Sequence, residues 1–122
     1  MKRLFIALAF VIATIPAGSA AERTWVGVIS DSHCGAEPHQ GEHKGKKVSD
    51  RECIIGIEGD PSYKSCLAYG AKFVLVSEGK VMKISNQDFA DLKVHAAYTV
   101  RLTGDLIGDT ITVTKIERAA AK

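Results

Sequence analysis

The first of two β-hairpin patterns in the second half of the chain limits the fold most strongly. Residues 73–77 and 81–85 are rich in Val, Leu, Ile and Phe, and Glu78-Gly79 lies between them. Gly79 can take the positive φ that a tight two-residue turn requires. Runs of this length, rich in β-branched residues, are typical of strands that bury at least one face. The pattern predicts an antiparallel pair.

The second hairpin pattern follows about 15 residues later. Apolar residues alternate with threonines and Arg101 over 98–103, and with threonines over 110–114, with a turn around Gly108-Asp109. Gly104 interrupts the first of these runs, and a glycine inside a strand indicates a bulge or sharp bend of the kind that small barrels need. A mainly β fold therefore follows from this half of the chain.

The first strand is predicted near Trp25. Trp25, Gly27 and Ile29 alternate with two valines, and Ser-Asp-Ser then ends the pattern with side chains that bond to their own backbone. This strand delivers His33 and Cys34 to the mouth of a loop.

Between the first strand and the hairpins, the residues at about 35–52 form a polar segment without apolar periodicity, which predicts a long loop insertion. An apolar island around Cys53 follows. Asp60 and Pro61 then give a helix start, and Gly70 a stop, so we expect a short helix over 61–69 with Cys66 on its buried face. Asn86 is expected to cap another short helix.

The order of these elements matches a small OB-like five-stranded barrel with a helix between its third and fourth strands. The same order also permits an open antiparallel sheet with helices on one face. In either case residues 21–117 form a single domain, and 118–122 form a frayed tail.

Residues 1–20 have the charged start, apolar run and small-residue end of a secretory signal peptide. The apolar run is shorter than the roughly 20 residues that cross a bilayer, so no stable membrane span is expected after cleavage. We expect the mature protein in the periplasm or outside the cell. Removal of Lys2 and Arg3 leaves 16 − 2 = 14 basic residues against 14 acidic ones, which disfavours nucleic acid as a partner.

Metal-binding side chains are concentrated in the first half of the chain. Three cysteines in an exported protein favour one disulfide, either Cys34 to Cys66 or Cys53 to Cys66. The alternative is a zinc or copper site, since both metals accept thiolate and imidazole donors, although no Cys-x-x-Cys pair occurs. The candidate metal ligands are His33, Cys34, His39, His43, Cys53 and Cys66.

Two groups of residues have the side chains of functional sites but are not assigned a catalytic or binding role. His95 lies between a predicted helix and a strand, where a structural role is expected. The run Asp31-Ser-His-Cys34 has the residue types of a catalytic triad, but neighbours on an extended chain point to opposite faces. No catalytic residue is assigned, and an enzyme is the less favoured class.

Six blocks of the sequence are distinctive in combination: WVGVISDSHCG (25–35), SDREC (49–53), GAKFVLVS (70–77), GKVMKISNQ (79–87), HAAYTVRLTG (95–104) and GDTITV (108–113). With the motif W-x-G-x-I-S-D-S-x-C-G in the first block, they resemble a family of small exported bacterial proteins that has no established activity. The resemblance covers nearly all of the mature chain. It implies export and an OB-like region, but assigns no cofactor or catalytic residue. Members of that family often have a shorter segment between the second and third cysteines and a glycine in place of Ala97.

These observations predict an exported non-enzymatic binding module that holds a metal or small ligand near Cys34. Two alternatives stay open. One is a structural protein associated with the cell envelope and stabilised by a disulfide, and the other is a thiol-redox protein.

Overall fold

A computed structural model of the chain describes residues 22–119. The predicted signal peptide and residues 120–122 of the predicted tail lie outside the described residues. Within 22–119, no helix is long and apolar enough to span a membrane.

Seven strands and two short α-helices make up the described chain. The helices are α1 (Asp50–Ile55) and α2 (Ala90–Val94), and a single 3₁₀ turn covers Leu67–Tyr69. The strands are β1 (Glu22–Asp31), β2 (Glu42–His43), β3 (Lys46–Lys47), β4 (Phe73–Ser77), β5 (Lys80–Ile84), β6 (Thr99–Ile107) and β7 (Thr110–Arg118).

Five of the strands form a closed barrel in the order β1-β4-β5-β7-β6, and β6 pairs back with β1. All neighbours are antiparallel except β5 and β7, which meet in a short parallel pairing at Ile84 and Ile111. Helix α2 connects β5 to β6, the third and fourth barrel strands. The mainly β, OB-like prediction is thus confirmed, and the open sheet is the wrong alternative.

The barrel interior is filled by alternate residues of the strands. Ile29, Leu75, Val100, Leu102 and Ile111 are fully buried there. Each comes from a stretch in which an apolar residue recurs at every second position, so the period that predicts the strands also fills the core.

Both predicted hairpins are present. Glu78 and Gly79 have φ of 52° and 74°, the two positive values of a type I′ turn. The strand pairing of β6 and β7 shifts between Thr103 and Gly104, which confirms the predicted bulge. A side chain at Gly104 would clash with the Thr112 carbonyl oxygen, so the bend requires a glycine.

The helix predicted over 61–69 is wrong except for its last turn. The Asp60 side chain accepts a hydrogen bond from the Ser62 amide, which produces a local turn in place of a helix cap. The amide of Cys66 then bonds to the Cys53 carbonyl at 2.9 Å. This tertiary bond replaces the intrahelical one.

The polar segment at 35–52 contains more structure than predicted. It includes the β2–β3 hairpin and the start of α1. Ser49 and Glu52 form a capping box in which each side chain bonds to the other residue's backbone amide. The sequence signal was present, because Ser-x-x-Glu before an apolar run is the pattern of a helix N-terminus.

The prediction that Asn86 caps a helix is wrong. Its side chain instead forms hydrogen bonds with both the amide and the carbonyl of Val113. It therefore connects the chain after β5 to β7. Helix α2 starts after Phe89 without a side-chain cap.

Candidate metal centre

The centre begins at Asp31, the last residue of β1. Its carboxylate is completely buried, and Oδ1 accepts hydrogen bonds of 2.9 Å from the amides of His33 and Cys34. These two hydrogen bonds hold the turn that follows β1 and carries Cys34. The other oxygen, Oδ2, is buried and has no hydrogen-bond donor.

His39 returns to the same place from the loop that follows. Its Nε2 is 3.1 Å from Ser30 Oγ, and its Nδ1 is 3.5 Å from Asp31 Oδ2. Nδ1 is buried and forms no hydrogen bond. Two unsatisfied polar atoms therefore face each other inside the protein, where such groups are normally paired.

Cys53 and Cys66 approach from the other side. The α1 helix buries Cys53, and the backbone bond from Cys66 to the Cys53 carbonyl holds the two residues together. Their sulfur atoms are 3.9 Å apart. A tetrahedral zinc ion with Zn–S bonds of about 2.3 Å separates two thiolates by about 3.8 Å. The observed spacing matches that value.

Six side chains converge at this end of the barrel in two sets of three. In each set, one donor atom per residue lies within 4.8 Å of the other two. The sets are Cys34, His39 and Cys53, and Asp31, His33 and Cys66. We call these six residues the donor cluster. Five of them are among the six candidate metal ligands from the sequence.

The predicted disulfide between Cys34 and Cys66 is wrong, because all three cysteines are free. The alternative pair, Cys53 and Cys66, is also unbonded at 3.9 Å, which is far beyond the S–S bond length of about 2.0 Å. The physical reason is that the backbone hydrogen bond between Cys66 and Cys53 leaves their sulfur atoms at van der Waals distance and not at bonding distance.

The local environment of Cys34 and Cys66 favours the neutral form of their thiols. Burial raises the pKa of Cys66 to about 12, and the negative charges of Asp31 and Cys53 act in the same direction. Burial and Asp31 also raise the pKa of Cys34. A reactive nucleophile needs a lowered pKa, so neither Cys34 nor Cys66 has the electrostatics of an activated cysteine. A bound cation would reverse this effect and stabilise the thiolates.

Tyr63 and Gly41 cover the buried side of the cluster. Burial, followed by the neighbouring Cys53, raises the pKa of Tyr63 to about 12. A Cβ atom added at Gly41 would lie 2.6 Å from the Tyr63 hydroxyl and 3.1 Å from Cys53 Sγ. Gly41 is therefore needed because the chain passes close to the cysteine.

Two histidines lie apart from the donor cluster. His43, a predicted ligand, is 3.0 Å from Asp60 Oδ2 and packs edge-on against Tyr63. His95 bonds through Nδ1 to the Asp91 carbonyl at 2.8 Å, which agrees with the structural role expected for it. Each is engaged by its own protein partner.

The sequence did not predict Asp31 as a member of the cluster. Its signals were the Ser-Asp-Ser turn, which was interpreted as the end of a strand, and the triad-like run to Cys34, which was set aside as non-catalytic. An aspartate between a buried strand and a cysteine is ambiguous in a sequence, since either a turn or a ligand explains it.

No family model matches this chain, and neither the curated proteins nor the solved structures include a match. The family resemblance of the sequence blocks therefore stays a prediction.

Proposed function

We propose that this protein is an exported, non-enzymatic binding module that holds a thiophilic metal ion, zinc or copper, in the donor cluster. Cys34, Cys53, Cys66 and His39 would be the ligands of that ion. Three thiolates and one imidazole are a common donor set for zinc, and they also suit copper(I).

The observation that carries this proposal is the convergence of three free thiols and an imidazole on a buried carboxylate whose Oδ2 accepts no hydrogen bond. Leaving a buried carboxylate oxygen without a partner costs several kcal/mol. A metal ion bound to the thiolates would supply the missing positive charge. The competing explanation is an ion pair between Asp31 and a protonated His39, and it predicts no metal affinity.

The other function classes have less support. A thiol-redox protein needs an activated cysteine, whereas burial raises the pKa of Cys34 and Cys66. The hypothesis of a structural protein stabilised by a disulfide loses its main support, because the cysteines are free. Export is supported by the sequence of residues 1–20 and is tested by the N-terminal residue of the protein recovered from the periplasm or medium.

The test of metal binding is a titration of the reduced, metal-free protein with Zn²⁺ in competition with a chromophoric chelator. Replacing Zn²⁺ with Co²⁺ reports the geometry, because tetrahedral cobalt thiolates absorb strongly in the visible range. We expect tight binding and a tetrahedral spectrum. Absence of both would overturn the proposal.

A matched pair of variants makes this test specific. His39→Ala should weaken binding of the ion more than about 100-fold, because it removes a ligand. His43→Ala removes an equivalent side chain outside the cluster and should leave the affinity unchanged. Equal affinities for both variants would contradict the assigned ligand set.

A further inference from the structure

The donor cluster offers more ligands than one ion can use. A tetrahedral ion takes four, and six side chains are present. The two sets of three share no residue, and each is already assembled within 4.8 Å. Chelation of one ion by the first set therefore leaves a second set in place.

The net charge of the donor cluster also indicates that it can hold more than one ion. Three thiolates and the Asp31 carboxylate carry a total of −4 when ionised. One divalent ion would leave −2 at a site where Asp31 is fully buried and Cys53 is 5% exposed. Uncompensated charge at such a place is expensive. Two divalent ions bring the sum to zero.

We infer that the donor cluster binds two thiophilic metal ions, and this inference rests on the proposed function. The first ion takes Cys34, Cys53 and His39. The second takes Asp31, His33 and Cys66, and the Cys66 thiolate bridges the two ions, which completes four protein ligands at the first.

Three features of the second set fit this role. The Oδ2 atom of Asp31 is buried and lacks a donor, so it is free to coordinate a cation. Cys66 Sγ is 3.9 Å from Cys53 Sγ, the spacing of two thiolates on one ion. His33 is exposed, so the second ion lies on the solvent side.

The second ion has three protein ligands and an open position. Sites that keep an open position exchange water and bind external ligands, whereas closed four-ligand sites are structural. We therefore expect the second ion to bind more weakly than the first and to exchange more readily. It is also the ion that can take a small external ligand, of which thiolates and imidazoles are the matching classes.

The experiment is a Co²⁺ titration of the reduced, metal-free protein, followed by visible absorption and electron paramagnetic resonance. We expect saturation at two ions per chain. The resonance signal should grow during the first equivalent and fall during the second, because a bridging thiolate couples the two cobalt spins. A signal that simply doubles would show two independent sites and overturn the bridge.

His33→Ala tests the second site separately. It removes a ligand of the second ion only, so saturation should fall to one ion per chain. His43→Ala is the matched control and should retain two. Saturation at two ions in His33→Ala, or at one in the natural protein, would overturn this inference while leaving the proposed function intact. Absence of any binding would overturn the proposed function itself.

Discussion

At the scale of single residues, Asp31 connects the fold to the chemistry of the donor cluster. Oδ1 supports the turn that places Cys34, while the negative charge contributes to the raised pKa of Cys34 and Cys66. These two roles can be separated, because asparagine keeps the acceptor oxygen and removes the charge. The substitution Asp31→Asn is therefore informative.

We expect Asp31→Asn to have opposite effects on thiol reactivity and on metal binding. Loss of the charge should lower the pKa of both thiols, so alkylation of the metal-free protein should become several-fold faster at pH 8. Binding of the second ion should weaken, because a ligand is lost. Iodoacetamide kinetics and the Co²⁺ titration measure the two effects. Asp88→Asn, at an exposed site, is the control, and slower alkylation would contradict the electrostatic assignment.

Ala97 is a second residue whose local conformation makes a prediction. Its φ is 70°, a left-handed value that costs a residue with a Cβ about 1–2 kcal/mol. We expect Ala97→Gly to raise the free energy of unfolding by about 1 kcal/mol, measured by urea denaturation.

The neighbouring residue supplies the control for that prediction. Ala96 is fully buried and does not have a positive φ, so Ala96→Gly should destabilise the protein instead. A destabilised Ala97→Gly variant would show that its methyl group contributes more by packing than it costs in strain.

At the scale of elements, helix α1 positions Cys53, and its capping box holds the start of the helix. Ser49→Ala removes the acceptor for the Glu52 amide and should cost about 1 kcal/mol of unfolding free energy. Because the same turn carries Cys53, affinity for the first ion should fall in parallel. Glu58→Ala, at an exposed position outside the helix, serves as a control. Unchanged metal affinity in a destabilised Ser49→Ala variant would separate the helix from the centre.

The loop between α1 and the 3₁₀ turn contains an acid-sensitive group. Hydrogen bonds from Ser62 and His43 lower the pKa of Asp60 to about 2, from an ordinary value of 3.8. A carboxylate whose pKa is lower in the folded state stabilises the fold above its unfolded pKa. That contribution is lost as the pH falls from about 4 to 2. In Asp60→Asn, the loss of stability over this interval, followed by circular dichroism, should be smaller than in the natural protein.

Elements defined by local patterns were predictable from the sequence, and those defined by contacts across the fold were not. The hairpins at Glu78-Gly79 and Gly108-Asp109 follow from turn residues between alternating strands. The segment 61–69 has a helix start signal, but the Asp60 turn and the bond between Cys66 and Cys53 override it. Helix α1 was missed although its Ser-x-x-Glu signal is present, because the polar segment before it was interpreted as a loop.

The donor cluster was predictable in membership but not in arrangement. Density of cysteine and histidine indicated most of the residues. Their meeting point depends on the Asp31 turn and on the contact between α1 and the 3₁₀ turn, neither of which has a spacing rule in the sequence. His43 was wrongly included on the basis of this density. It pairs with Asp60, which is 17 positions away in the sequence and could not be recognised as its partner.

At the scale of the whole molecule, the donor cluster draws its members from four segments of the chain. Its ligands come from the end of β1, the following loop, α1 and the residue before the 3₁₀ turn. An ion bound to these segments would have to leave before they separate. The proposed metal binding would therefore be coupled to folding.

This coupling gives a prediction about thermal stability. A ligand that binds only the folded state at 100 times its dissociation constant adds about 2.7 kcal/mol. For a domain of about 100 residues, this corresponds to a rise in Tm of about 10–20 °C. Differential scanning fluorimetry of the reduced protein with and without Zn²⁺ measures the shift, which a chelator should reverse. The shift should persist in His43→Ala and largely disappear in His39→Ala. An equal rise in both variants would mean that zinc binds elsewhere, because His39 belongs to the donor cluster and His43 does not.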